Sequence, residues 1–358
     1  MRLLIVTQKV NQDDPVLGFF HRWIVEFAKR CETVTVVCLE EGSHELPANV
    51  KVLSLGKEKS SVVSGKLSVG NKIKRTMFFF KYILRERNNY DTVFVHMNPV
   101  YIVLAGLVWK TLSKDVSLWY THGHVDWKLR IAEKLVNRIF TASHESFRLV
   151  SDKVIVTRHG IDTDHFAPLA RKESSDTLRI LTTGRVARVK NVDLMIGAVG
   201  ELIEEGKDVS FTIVGGAVTD ADSKYSDDLR EMVKVLNFSE NISFVGSVVP
   251  QEIVTYLQDA DLFINMSNTG SVDKAVLEAF ACGIPVISSN VAFKNILEPH
   301  GLFMGEQTAV ACAETMKGIM GRDLSDVSTS LRDYVVSAHS LYNLIPLLIS
   351  HMHHEASR

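Results

Sequence analysis

Two stretches of this chain carry residue types that could bind a charged, hydroxylated ligand. The first, TGRVARVK at residues 183–190, sets Arg185, Arg188 and Lys190 just after a strand-like run, with Gly184 allowing a sharp turn. Arg185 can fork two phosphate oxygens, and Lys190 adds a mobile point charge. A merely basic, solvated loop has the same composition, so both readings stand. The second stretch, DLFINMSNTGSVDKAVLEAFACGIPVISSN at 261–290, reads as strand, polar loop, helix and strand. Its helix is expected to begin at an N-cap Ser271, bury Ala275, Val276, Ala279 and Phe280 on one face, and stop at Gly283. Glu278 then lies two turns in, among apolar neighbours. An acid there needs a partner, and ligand hydroxyls are one candidate.

Weaker signals accompany these. Gly215-Gly216 ends another strand-like run and serves either a close approach to a ligand or a tight turn. His122 follows a strand and belongs at the carboxyl edge of a sheet, where ligands bind in open α/β folds. With His124 it forms an HxH pair, but no third ligand of matching type lies nearby, so no metal is expected. The closing HMHH reads as a solvated tail. Neither a GxGxxG fingerprint nor a Walker lysine motif is present.

The elements that must hold these residues alternate, strand then helix, from the start. Strands are expected at 3–6, 34–39, 50–53, 93–96, 116–120, 139–142 and 154–157, and helices at 19–29, 101–112 and 130–138. A turn at Gly160 and a polar run at 171–177 mark a domain boundary. Strands at 179–182, 210–214 and 242–245 and helices at 191–204, 226–236 and 251–257 follow, with a closing helix at 341–351. The fold class is therefore α/β, with two doubly wound domains at 1–170 and 171–330 and a C-terminal helix and tail at 331–358. The basic segment 66–87 holds Lys66, Lys72, Lys74, Arg75, Lys81, Arg85 and Arg87 around an aromatic cluster. It reads as an ordinary helix packing on the sheet, or as a surface helix touching anionic lipid headgroups.

Bulk numbers narrow the partners. At 358 residues the chain is long enough for two cores, and 46% apolar with 23% charged residues is ordinary for a globular protein. A net charge of −2 gives no reason to propose a nucleic acid partner. The four cysteines form no CxxC pair, sit in apolar stretches and read as reduced core thiols. The four-residue apolar run at the N-terminus is too short for a signal-peptide core, and no run reaches the roughly 18 residues of a membrane span. A cytoplasmic location, at most peripheral on a membrane, is expected.

TTGRVARVKNVDLMIGA, IVGG, ISFVGSV, DLFINMSN and VLEAFACGIPVISSN, in that order, resemble the donor-binding domain of family-4 glycosyltransferases, retaining enzymes of the two-domain GT-B fold. THG at 121–123, TASHESFR at 141–148 and HGIDTDHFAP at 159–168 resemble the same family's first domain and interdomain segment. The resemblance implies two Rossmann-like domains facing each other across a cleft, with the C-terminal helix packing back on the first. It implies that Arg185 and Lys190 hold a nucleotide diphosphate on the Gly184 turn, that Glu278 accepts from ribose hydroxyls, and that Val245 meets the base through its backbone. Gly215 lies on the same donor side. His122 would reach the transferred sugar, and Gly18 would let the first loop approach the phosphates. No metal is then required, because Arg185 and Lys190 fill the role of a divalent ion. One departure matters: where the family carries a second glutamate, in a segment like EGFGLPVLE, this chain has Gly270. Ser271, Asp273 and Lys274 are candidates to replace its sugar contacts; Asp273 could equally do no more than complement the helix dipole.

The expected function is retaining, metal-independent transfer of a hexosyl group from a nucleotide sugar to a carbohydrate or lipid-linked acceptor, in cell-surface polysaccharide or glycolipid synthesis. Two alternatives are a catalytically lapsed nucleotide-sugar-binding partner of a glycan assembly complex and a nucleotide-sugar epimerase.

Overall fold

The computed structural model describes residues 1–58, 69–169 and 176–353. Lys66, the linker residues Arg171 to Ser175 and His354 of the HMHH run lie outside the described residues. The chain divides into two compact units, one of Met1–Gly160 with Leu341–Arg358 and the other of Ile161–Ser340. These limits differ from the 170/171 and 330/331 boundaries expected from composition. Ile161 donates its N–H to the His339 carbonyl at 2.7 Å, and Phe166 is buried in the second core, so the chain enters the second unit before the polar run.

In the first unit, β1 (Arg2–Val10), α1 (Phe19–Ala28), β2 (Thr33–Glu41), β3 (Val50–Ser54), α2 (Val69–Arg85), β4 (Thr92–His96), α3 (Val100–Thr111), β5 (Asp115–Trp119), α4 (Trp127–Leu135), β6 (Arg138–Thr141) and β7 (Val154–Val156) follow one another. The seven strands form one parallel sheet in the order β3-β2-β1-β4-β5-β6-β7. The unbroken apolar run Leu3, Leu4, Ile5 and Val6 suits a strand covered on both faces. Leu4 and Val6 share a core with α2, α3 and α4, while Leu3 and Ile5 pack with Phe20, Ile24 and Phe27 of α1. The helix expected at 130–138 begins and ends earlier. Asp126 caps it by accepting from the Leu129 N–H at 2.9 Å, and Arg138 opens β6 with its guanidinium on Asp115 at 2.7 Å. On α2 the two readings of the basic segment fall on opposite faces. Phe79 and Ile83 are buried, and Ile73 and Met77 are exposed among Lys72, Lys74 and Lys81.

The second unit runs β8 (Leu178–Thr183), α5 (Val192–Glu204), β9 (Val209–Val214), α6 (Asp220–Val235), β10 (Ile242–Gly246), α7 (Pro250–Asp259), β11 (Leu262–Asn265), α8 (Lys274–Ala281), β12 (Val286–Ser288), α9 (Lys294–Leu297), α10 (Ala309–Ile319) and α11 (Ser325–Ala338). Its parallel sheet has the order β10-β9-β8-β11-β12. Helix α6 starts ahead of the expected 226 because Thr219 and Asp222 form a capping box. Helices α10 and α11 were not expected; they pack on α5 and α8. Helix α12 (Leu341–His353) then returns to the first unit, where Leu341, Leu344, Ile345 and Leu348 join the core of α1. This is the packing-back of the C-terminal helix that the resemblance implies. Among the described residues no helix is long and apolar enough to cross a membrane.

Candidate functional site

At the carboxyl edge of the second sheet, three loops rest on one another through backbone. Gly184 donates its N–H to the Val214 carbonyl at 2.9 Å, Gly215 donates to Gly246 at 2.8 Å, and Val186 donates to Gly216 at 3.1 Å. Gly184 (φ +122°) and Gly215 (φ +144°) are both left-handed. A Cβ on Gly215 would lie 1.7 Å from the Gly184 carbonyl oxygen, so the close approach there is of one loop to the next. Val245 sits where the register of edge strand β10 slips between Phe244 and Gly246. It is 40% exposed.

The cations of the 183–190 loop have different fates. Arg185 is exposed and makes no hydrogen bond or ion pair among the described residues. Arg188 lies over the Tyr225 ring, 5.0 Å from its centroid, and 3.8 Å from Asp228. Lys190 ends a short 3₁₀ turn and forms an ion pair with Asp273. Strands β8 and β11 are neighbours, which is why their loops meet. Lys190 is thus held in place, where composition suggested a mobile charge.

Asp273 is the N-cap of α8, with its carboxylate accepting from the Ala275 N–H at 3.3 Å and from Asn265 Nδ2 at 3.1 Å. Burial alone would raise its pKa. The Lys190 ammonium and these hydrogen bonds outweigh burial and hold the carboxyl below the usual carboxylate range. The expected cap, Ser271, instead donates its hydroxyl to Thr269 Oγ1 at 3.2 Å. A left-handed turn at Gly270 (φ +67°) and a hydrogen bond from Asn290 Nδ2 to the Ser271 carbonyl (2.9 Å) delay the helix to Lys274. Gly283 does stop it: its N–H reaches Phe280 at 2.9 Å and that of Ile284 reaches Ala279 at 3.0 Å, a Schellman motif. Buried Glu278 has an ion-pair partner inside its own helix, Lys274 one turn before it.

Sequence reasoning missed the polar network beneath this loop. Asn265 accepts from Ser288 Oγ at 3.1 Å, Ser288 Oγ accepts from the Asn290 N–H at 3.0 Å, and all three residues are buried. Asn191 Nδ2 and Gln307 Nε2 both donate to the Met266 carbonyl, at 2.9 and 2.6 Å. The available signal was asparagine ending one strand-like run and SSN ending the next, both polar where apolar residues would pack.

The remaining candidates, His122 and Gly18, belong to the first unit. His122 follows β5 with its ring edge-on to Tyr120, at 5.8 Å between centroids. Partial desolvation, and secondarily His124, lower its pKa. Gly18 precedes α1 with right-handed helical angles (φ −59°, ψ −29°) that any residue adopts. Among the described residues no group of three or more His, Cys, Asp and Glu could hold a metal ion. The four free cysteines are buried, which pushes their thiols up to about 11 or 12 and leaves them unreactive.

The sequence pattern of the glycosyl transferases of group 1 matches residues 177–321, the stretch that carries the loops at the second sheet's edge. These residues are a group 1 glycosyltransferase domain. The domain's relatives include the amylovoran biosynthesis glycosyltransferase AmsK of Erwinia amylovora, 31% identical over 39% of this chain and 34% of that protein. The alpha-monoglucosyldiacylglycerol synthase of Streptococcus pneumoniae is 27% identical over 45% of this chain and 36% of its own length. The chain therefore spans about a third of the length of these curated relatives. Anabaena HepE, crystallised with UDP, superposes with a TM-score of 0.74 over 98% of this chain and 99% of its own, at 15% identity. That likeness shows that the whole chain, with its two parallel-sheet α/β units, shares the fold of a GT-B glycosyltransferase structure.

Proposed function

We propose that this protein is a retaining glycosyltransferase moving a hexosyl group from a nucleotide sugar to a carbohydrate or lipid-linked acceptor in cell-surface polysaccharide or glycolipid synthesis. The observation that carries the reading is the meeting of the 183–190 loop with the N-terminus of α8, through Lys190 and Asp273, beside exposed Arg185. The names of the relatives support it: one makes a glycolipid and one serves a polysaccharide, and HepE was crystallised with UDP.

On this reading Arg185 and Lys190 take the diphosphate, Glu278 the ribose hydroxyls and the Val245 backbone the base. As the bond from the anomeric carbon to phosphate breaks, its electron pair stays on the departing diphosphate. Once the donor is bound, the cations at its phosphates stabilise that charge as it develops. The acceptor hydroxyl bonds the carbon on the same face, and its proton passes to the leaving phosphate. Holding that hydroxyl close to the anomeric carbon on that face supplies much of the remaining rate. The cations stand in for a divalent ion.

The test is transfer from a panel of nucleotide sugars to lipid and oligosaccharide acceptors, with product anomer read by NMR. Retained configuration, activity unchanged by EDTA, and a loss of about 100-fold in kcat/KM for Arg185→Ala are expected. No transfer and no donor binding across the panel would refute the reading. Donor binding without transfer would favour the lapsed partner instead, for which Gly270 and the paired state of Lys190 and Glu278 speak. Sugar isomerisation without acceptor would indicate an epimerase.

We further propose a cytoplasmic location with peripheral membrane contact through the outer face of α2. That helix carries no acidic residue. Vesicles containing anionic lipid should retain the protein at low salt, and replacing Lys72, Lys74 and Lys81 by Gln should weaken binding by ~1 kcal/mol per charge. Equal retention of the variant would count against it.

A further inference from the structure

We infer that Asp273 is an internal anion that competes with the donor diphosphate for Lys190 and thereby sets the donor affinity of this chain. The inference rests on the donor-site reading above. Asp273 makes the two contacts that a bound phosphate oxygen would make: it takes the Lys190 ammonium, and it accepts from an N–H in the first turn of α8. In the segment EGFGLPVLE of the resembled family, a glycine stands at this place, with no side chain to occupy those donors.

The pair is largely withdrawn from water, with 11% of the Asp273 side chain and 22% of that of Lys190 exposed, so its attraction is weakly screened. The carboxyl is held in its charged form by Lys190 and its hydrogen bonds, against the effect of burial. The next residue, Lys274, is likewise occupied by Glu278, one turn further on. Of the basic side chains at these loops, Arg185 alone is exposed without an ion pair among the described residues. A diphosphate arriving at this edge meets Arg185, which has no ion pair among the described residues but is attracted to Asp222, and one carboxylate where its oxygens would sit. Binding must open the Lys190–Asp273 pair, and that cost lowers affinity.

Removing the charge while keeping the cap separates this role from a structural one. Asp273→Asn retains an acceptor for the Ala275 N–H, and Asp273→Ser serves as the second variant if the first fails to fold. The experiment is calorimetric titration of the full chain with UDP, GDP and ADP in metal-free buffer. Wild type, both variants and the Lys190→Met pairings are compared. Asp273→Asn or Asp273→Ser is expected to tighten the preferred nucleoside diphosphate by about tenfold, and Lys190→Met should abolish that gain. Unchanged or weaker binding in the folded variants, with wild type binding normally, overturns the inference. It makes Asp273 a positioning residue for Lys190 and leaves the donor site standing. Absence of binding by wild type and variants alike overturns the inference and the donor site together.

Discussion

The sheets of the two units share one construction, parallel strands covered by crossover helices, but what fills their carboxyl edges differs. In the first unit β4 ends in His96, whose ring is buried, stacked on Phe20 with 3.8 Å between centroids, and hydrogen-bonded to Thr7 Oγ1 at 3.2 Å. Turns there that need a left-handed residue use Met97 and Arg158 as well as Gly56. In the second unit the corresponding turns use mostly glycine, Gly184, Gly215, Gly246 and Gly270 with Asn191, and the loops meet through backbone and paired charges. An edge plugged by aromatic rings is a stable end to a core. An edge of stacked backbone, with its charges balanced nearly internally, would on the proposed reading accept an anionic ligand by exchanging partners.

The largest effect that would sharpen this contrast is at Gly215. Alanine there meets the Gly184 carbonyl in a backbone region that L-residues avoid, and should destabilise the second unit by about 3 kcal/mol or more. All four tryptophans, Trp23, Trp109, Trp119 and Trp127, lie in the first unit. Urea unfolding followed by far-ultraviolet circular dichroism should therefore shift to lower midpoint while the tryptophan fluorescence transition stays. An equal shift of both would mean that the units unfold as one, and the comparison would fail.

A smaller, graded effect is expected from acid. Burial pushes the His96 imidazole down to about 3, so the folded first unit keeps it neutral while the unfolded chain protonates it near its ordinary value of 6.5. Its stabilising contribution is complete above pH 6.5. As pH falls toward 3 it is lost at up to about 1.4 kcal/mol per pH unit. Asp273, held below the usual carboxylate range, loses its contribution only below the ordinary value of 3.8. Between pH 6.5 and 4 the tryptophan transition should weaken, and His96→Phe should flatten most of that slope. His21 and His122, also lowered by burial, leave a residue of it. A slope unchanged by His96→Phe would show that this edge is not the acid-sensitive one.

Much of the fold was legible because its determinants are local. A continuous apolar run as short as Leu3 to Val6 suits a strand covered on both faces better than a helix, and Gly283 after an apolar helical period marks a helix end. The cap at Ser271 was misjudged for a reason that is not local: Asn290, on a later loop, holds the Ser271 carbonyl out of the helix. Helices α10 and α11 escaped notice because their burial is set by the α5 and α8 surfaces they cover.

The sequence by itself determined which residues could bear charge at the second unit's edge and where its turns must be glycine, since residue chemistry and backbone sterics act over a few positions. Only tertiary structure decided the partners. Lys190 and Asp273 are 83 residues apart, and they meet because β8 and β11 are adjacent in the sheet. The same packing drew α12 back to the first unit, where its leucines bury against α1. Strand order and core burial are properties of the whole chain, so the state of a site built from them cannot be read from its motifs alone.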